Sequence, residues 1–239
     1  SILVGARNVI HPFNPQQILG LMASEKVTIS NWVPTMAAFV LSLPDVATHD
    51  LSSLRALVFA AAPLTSALQD QIRTRLCPNL YEFYGLQETG IVVCIGPEEK
   101  NRRPASVGKV AFSAEVRVVD VDGRDVSPGT VGGIIARAPS ATAGYFKNEA
   151  QTREAFRDGW FHTGDLGYFD GEGFLFLAGR SKDMIVTGGQ NVFSVEVEDA
   201  LLNHPAVAEC AVIGLPDDTW GERVTAVVVR APGAKVTEA

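Results

Sequence analysis

The sequence predicts an α/β fold: a parallel sheet covered by helices, joined to an antiparallel, barrel-like hairpin subdomain and followed by a small α+β domain. Three observations predict it. Strand and helix signals alternate through the first hundred residues, the pattern of parallel strands with helical crossovers. The hydrophobic period changes to two from about residue 107 to 178. After Gly179-Arg180-Ser181-Lys182 a strand–helix–strand–strand pattern begins, which suits a small α+β unit. These shifts divide the chain into residues 1–181, comprising an α/β part (1–106) and a β-rich part (107–181), and residues 182–239.

Each element has a local reason. Asn14-Pro15 reads as an N-cap with proline at the first helical position, opening a helix with Ile18, Leu21 and Met22 inward. Val27 to Asn31 is a β-branched strand, and Met36, Phe39 and Val40 mark a second helix. Ala56–Phe59 is an apolar strand. Thr65 or Ser66 caps a helix with Leu68, Ile72 and Leu76 on one face, and Leu80–Tyr84 is the next strand. Further on, Glu115–Asp120 and Gly133–Ala138 flank a turn at Asp122-Gly123, and Tyr168-Phe169 and Phe174–Leu177 flank Asp170–Gly173; both read as hairpins. The last part gives a strand at Met184–Thr187, a Gly188-Gly189 turn, a helix from about Ser194 to Asn203, and strands at Ala208–Ile213 and Val224–Arg230.

Composition narrows the function. Of 239 residues, 20 are Lys or Arg and 27 Asp or Glu, a net charge of −7 with no basic run. That argues against nucleic acid or an anionic membrane as the main partner. Cys77, Cys94 and Cys210 are isolated, which fits neither a disulfide framework nor a zinc pattern and suits a reducing, cytoplasmic compartment. No apolar run approaches the roughly 20 residues of a membrane span, and the first residues lack a signal-peptide core. The four histidines are scattered, and Asp120–Asp125 has the Asp-Gly of a hairpin turn rather than the Glu at position 12 of a calcium loop. No Gly-x-Ser-x-Gly elbow surrounds any serine.

Four segments carry the chemistry: Ala60-Ala61-Ala62-Pro63-Leu64; Tyr84-Gly85-Leu86-Gln87-Glu88-Thr89-Gly90; Gly159-Trp160-Phe161-His162-Thr163-Gly164-Asp165; and Gly179-Arg180-Ser181-Lys182-Asp183 with Gly188-Gly189-Gln190-Asn191. Each is read as lying where a strand ends, the usual ligand edge of an open α/β sheet. Singly, each has a plain structural explanation as a turn, cap or packing site. In this order and spacing they resemble the adenylate-forming superfamily of acyl-CoA synthetases, nonribosomal adenylation domains and luciferases. Gly144-Tyr145-Phe146, Thr152 and Phe156 look like the family's lead-in to the Thr-Gly-Asp segment.

The resemblance implies roles. The Ala61-Ala62-Pro63 backbone would lie along one face of adenine and Tyr84 on the other, with Gly85 leaving room. Glu88 would hold Mg²⁺ beside the phosphates of ATP, as a hard carboxylate oxygen suits that ion. Asp165 would accept hydrogen bonds from the ribose hydroxyls of ATP or AMP, Arg180 would approach the same ribose, and Leu177 would belong to the apolar nucleotide wall. Gly188 and Gly189 would let the pantetheine arm of coenzyme A approach, and Lys182 would be the hinge of a rotating C-terminal domain. Two departures stand out. Gln87 replaces the threonine whose hydroxyl contacts the α-phosphate, so an amide must donate there. Ala60-Ala61 replaces the usual Gly-Gly.

The implied activity is ATP-dependent ligation of a carboxylic acid, fatty or aromatic, to coenzyme A. A homodimer stays open. The family's phosphate loop would lie upstream of Ser1 and its C-terminal lysine beyond Ala239, so the last domain reads as truncated and the isolated chain is expected to be inactive. Two alternatives stay open: an adenylation domain loading a carrier protein, and a non-catalytic nucleotide-binding fragment. No acidic partner for an amino-acid substrate is evident around Trp32-Val33-Pro34, Met36 and Phe39, which favours a plain acyl or aromatic acid.

Overall fold

The computed structural model describes residues 4–62, 64–231 and 233–234. They form two compact units. One is built from the chain up to Tyr84 together with Cys94–Ala105, the other from Gly85–Val93 and the chain from Ser106 onward.

In the first unit, helix α1 (Pro15–Ser24) starts at Asn14, whose side chain accepts the Gln16 N–H. Strand β1 (Ile29–Trp32), helix α2 (Pro34–Leu41), strand β2 (Ala56–Phe59), helix α3 (Ser66–Arg75) and strand β3 (Leu80–Leu86) follow. β1 runs parallel to β2, and β2 parallel to β3, with Ile29 opposite Ala56 and Phe59 opposite Glu82. The core gathers Leu19, Met22, Trp32, Val40, Leu57 and Phe59, with Ile72 and Leu80 against them. Two details differ from the sequence reading. Leu19 rather than Leu21 is buried on α1, and Phe39 points outward at 60 % exposure; eight residues make only two turns, and Ala37, Val40 and Leu41 take the inward stripe of α2.

Strand β4 (Gly90–Ile95) and helix α4 (Pro97–Arg102) were not read from the sequence. Lys100 on α4 is buried against Glu82 on β3. Burial drives the Glu82 carboxyl up and the Lys100 ammonium down, each opposed by the charge of its partner.

The second unit holds strands β5 (Ser106–Val110), β6 (Glu115–Val119) and β7 (Gly132–Arg137), helix α5 (Glu149–Ala155), and strands β8 (Phe156–Arg157), β9 (Trp160–Phe169) and β10 (Leu175–Arg180). All pair antiparallel, in the order β5-β10-β9-β7-β6, with β8 on β9. β6 and β7 pair as expected, but Asp122-Gly123 does not join them directly. It closes a smaller loop in which Val119 bridges Asp125 and the Asp120 carboxylate accepts the Asp122 and Arg124 N–H groups.

A separate four-stranded antiparallel sheet follows, from β11 (Ile185–Thr187), β12 (Gln190–Val192), β13 (Val207–Asp217) and β14 (Gly221–Arg230), in the order β12-β11-β14-β13. Helix α6 (Ser194–Leu202) packs on it, and Glu198 accepts the Val212 N–H. Among the described residues no helix is long and apolar enough to cross a membrane.

Candidate active site

In the first unit, Ala61 and Ala62 leave the carboxyl end of β2 and are exposed. Tyr84 lies near the carboxyl end of the neighbouring parallel strand β3, two residues past the Phe59–Glu82 register pair, and is 8 % exposed. Both therefore sit at the edge where open α/β sheets take ligands. Pro63 falls outside the described residues.

The loop after β2 is held by Gln69, which is fully buried on α3. Its side-chain nitrogen donates to the Leu64 and Pro104 carbonyls, and its oxygen accepts from Arg73. Ala61 has φ +73°. A side chain in the left-handed region costs roughly 1–2 kcal/mol, offset by roughly 0.5–1 kcal/mol of glycine's extra chain entropy. Ala61→Gly is thus expected to stabilise the protein and raise Tm by about 2–4 °C. A lowered Tm in a thermal melt would refute the strain.

In the second unit, β3 continues past Tyr84 to Leu86 and turns through Gln87-Glu88-Thr89 into β4. The motif therefore straddles a strand end and a tight turn. Gly85 has a packing reason of its own: a Cβ there would lie 2.1 Å from the Gly90 carbonyl oxygen. Gln87 is exposed and Glu88 half-buried. Thr89 is fully buried, and its hydroxyl accepts the Leu86 N–H and donates to the Gly90 carbonyl.

Glu88 has a partner that the sequence reading missed. The Tyr145 hydroxyl donates to its Oε1 at 2.8 Å. Burial first, then the hydrogen bond to Glu88, push the Tyr145 phenol up from its ordinary value. The only sequence signal was the Gly144-Tyr145 pair itself. Gly144 is required there, since a Cβ would lie 2.5 Å from Thr152, whose hydroxyl accepts the Tyr145 N–H. An open cavity of about 600 Å³ lies beside Tyr145, bounded by residues 143–147 and Glu149, Thr152 and Arg153; it includes none of the sequence-predicted site residues.

Asp165 and Arg180 come together. They face each other across β9 and β10, with Arg180 Nε 3.2 Å from Asp165 Oδ1. Contrary to the expectation that it ends a strand, the Thr-Gly-Asp segment lies inside β9. Gly164 at φ +74° kinks the strand, and the ladder to β10 slips between Leu177 and Gly179, so a bulge re-aims Asp165. Thr163 fixes the kink, donating to the Ile134 carbonyl and accepting the Asp165 N–H. Leu177 is half-buried on β10. His162, also on β9, is held below its ordinary pKa by burial and by Arg157.

Lys182 is exposed in a single 3-10 turn, Ser181–Asp183, between β10 and β11. The two glycines that follow differ. A Cβ on Gly188 would lie 2.8 Å from the Trp220 ring, whereas Gly189 has open space.

The donors fit a nucleotide and a hard cation. A carboxylate beside a guanidinium offers acceptors and donors for a ribose and its phosphate. Glu88 Oε2 makes no hydrogen bond among the described residues. No cluster of three or more metal-ligating side chains occurs among the described residues.

Comparison with known proteins decides the family. The AMP-binding enzyme family model matches residues 1–146. The chain belongs to the AMP-binding enzyme family. The model of the AMP-binding enzyme C-terminal domain matches residues 196–239. A medium/long-chain-fatty-acid–CoA ligase of Mycobacterium tuberculosis is 38 % identical over 94 % of this chain and 40 % of its own length. Indoleacetate–CoA ligase of Aromatoleum aromaticum is 36 % identical over 98 % and 46 %. Among solved structures, an amide bond synthetase from Marinactinospora thermotolerans matches with TM-score 0.90 at 33 % identity, over 95 % of this chain and 47 % of that one. An anthranilate CoA ligase in complex with anthranoyl-AMP matches with TM-score 0.88 at 35 % identity, over 98 % and 46 %. The chain thus spans about half the length of the curated relatives it matches. These AMP-binding relatives include both fatty and aromatic acid ligases.

Proposed function

We propose that this chain is part of an ATP-dependent acid–thiol ligase that activates a fatty or aromatic carboxylic acid as its adenylate and transfers it to coenzyme A. The observation that carries the reading is the Asp165–Arg180 pair across β9 and β10 in a chain of the AMP-binding enzyme family. In the first half-reaction a carboxylate oxygen attacks the α-phosphorus of ATP, and pyrophosphate leaves. In the second the CoA sulfur attacks the acyl carbon, its proton goes to solvent, and AMP leaves. Asp165 accepts from the ribose hydroxyls, while Ala61, Ala62 and Pro63 with Tyr84 flank the adenine. Gln87 donates its amide to the α-phosphate and Glu88 holds Mg²⁺, which neutralises phosphate charge when bound. A carboxylate nucleophile needs no general base, so positioning and electrostatics carry the rate. Lys182 is the hinge at a 181/182 domain boundary, and Gly189 admits the pantetheine arm. Three free cysteines suit a cytoplasmic enzyme.

A second acceptor is favoured by one likeness: the amide bond synthetase match suggests an amine in place of the thiol. The test is acid-dependent ATP–pyrophosphate exchange by the full-length protein across fatty and aromatic acids, with CoA or an amine then offered to the adenylate. Thioester formation is expected. Amide formation without thioester would select the second reading, and no exchange with any acid would sink both.

A further inference from the structure

The turn that carries Glu88 is gripped from one side by a single segment, residues 140–145. Ser140 donates its hydroxyl to the Thr89 carbonyl at 2.6 Å, the Thr142 N–H donates to the Glu88 carbonyl at 2.7 Å, and the Tyr145 hydroxyl donates to Glu88 Oε1 at 2.8 Å. The first two contacts fix backbone. Only the third touches the carboxylate, and it takes one oxygen and leaves the other without a hydrogen bond among the described residues. The donor itself is stiffly mounted. Its backbone N–H is bound by the Thr152 hydroxyl, which in turn donates to the Asn148 carbonyl. Its ring packs edge-on to Phe156, with centroids 6.5 Å apart, and Phe156 packs on Phe161 at 4.9 Å. Gly144 and Gly90 are the close-approach points: a Cβ on Gly144 would strike Thr152, and one on Gly90 would crowd the Ser140 hydroxyl at 3.1 Å.

We propose that Tyr145 is a positioning residue for Glu88: its hydroxyl locks the carboxylate so that Oε2 is presented to the divalent cation of the nucleotide complex. The proposal rests on the reading of Glu88 as the Mg²⁺ ligand. A carboxylate on a turn samples several rotamers, and a fixed donor on one oxygen selects one of them. Partners of this kind, hydrogen-bonded to a metal ligand, are worth about 10–100-fold in metal affinity. The plain alternative is that Tyr145 only packs the segment, in which case its ring matters and its hydroxyl does not.

The test uses the full-length protein and two readouts: the Mg²⁺ concentration for half-maximal pyrophosphate exchange, and calorimetric ATP affinity with MgCl₂ or with EDTA. Tyr145→Phe removes the hydroxyl and keeps the ring. It is expected to raise half-saturating Mg²⁺ about tenfold, with ATP affinity in EDTA, the KM for the acid and Tm unchanged. Glu88→Gln is expected to do at least as much, and the double variant to match Glu88→Gln alone. An unshifted Mg²⁺ requirement in Tyr145→Phe overturns the proposal, as does additivity in the double variant. If Glu88→Gln itself leaves Mg²⁺ dependence unchanged, the metal-ligand reading of Glu88 has failed, and the proposal falls with it.

Discussion

Asp165→Ala in the full-length protein is expected to raise the ATP KM by about 10–100-fold while the fold survives. The carboxylate accepts from two ribose hydroxyls in the proposed site, and a charged hydrogen bond is typically worth about 1.5–3 kcal/mol, or roughly one to two orders of magnitude. The structural cost is small by comparison. The Asp165 side chain is 13 % exposed but its partner Arg180 is about half exposed, so removing the acid leaves a cation that water can reach rather than a buried unpaired charge. The Asp165 N–H bond to Thr163 is a backbone contact that alanine retains. Asp165→Asn keeps one acceptor and should fall between the two. Steady-state kinetics against a melting curve decide the matter: unchanged ATP kinetics, or a KM that rises only as far as Tm collapses, would make Asp165 a structural residue.

The second large effect is expected at Lys182. Its 3-10 turn has a characteristic φ of about −50° to −70°, a range that includes proline's −65°, and an N–H in the first turn of a helix has no helical partner to lose. Proline's fixed φ therefore suits position 182 in this turn, although its ring disfavours the helical conformation of Ser181 before it, and it excludes conformations that need another φ, at about 3 kcal/mol or more. Lys182→Pro should leave one half-reaction within a few-fold of wild type and slow the other by about a hundredfold. Lys182→Ala should alter neither. Pyrophosphate exchange follows the first half-reaction, and thioester formation from preformed acyl-adenylate the second. Equal losses in both, or none in either, would make Lys182 an ordinary surface linker residue.

The sequence revealed elements wherever one physical signal dominated. β2 is read at its true bounds because Ala56–Phe59 is a short apolar run, and the start of α3 because Thr65 is a cap whose hydroxyl accepts the Leu68 N–H. β4 escaped because Val92 and Val93 are both buried, so its pattern breaks the alternation by which half-buried strands are recognised. α5 escaped because none of its residues is buried and a stretch whose only apolar residues are Ala150 and Ala155 shows no stripe. The site divides in the same way. Asp165 and Arg180 are legible as motif residues, but their pairing is not: the register of the hairpin start would set Asp165 opposite Gly179, and only the slip between Leu177 and Gly179 brings Arg180 across from it. The bond from Tyr145 to Glu88 spans 57 residues, and local spacing says nothing about which distant side chain meets a carboxylate.

Gln69 gives the loop after β2 a property that its three alanines alone would not. Small residues such as the exposed Ala61 and Ala62 have little to hold them, yet the Leu64 carbonyl that follows is tied to an amide with zero exposure, which also ties down Pro104. Both amide protons are committed, and no water competes for them. Glutamate at this position would offer no donor, and leucine would leave two carbonyls without one. The Leu64 end of the loop is thus fixed when the unit folds, before any ligand arrives. In the proposed site an adenine ring packed against this loop would meet an end that is already anchored, and less of the contact free energy would be lost to ordering it.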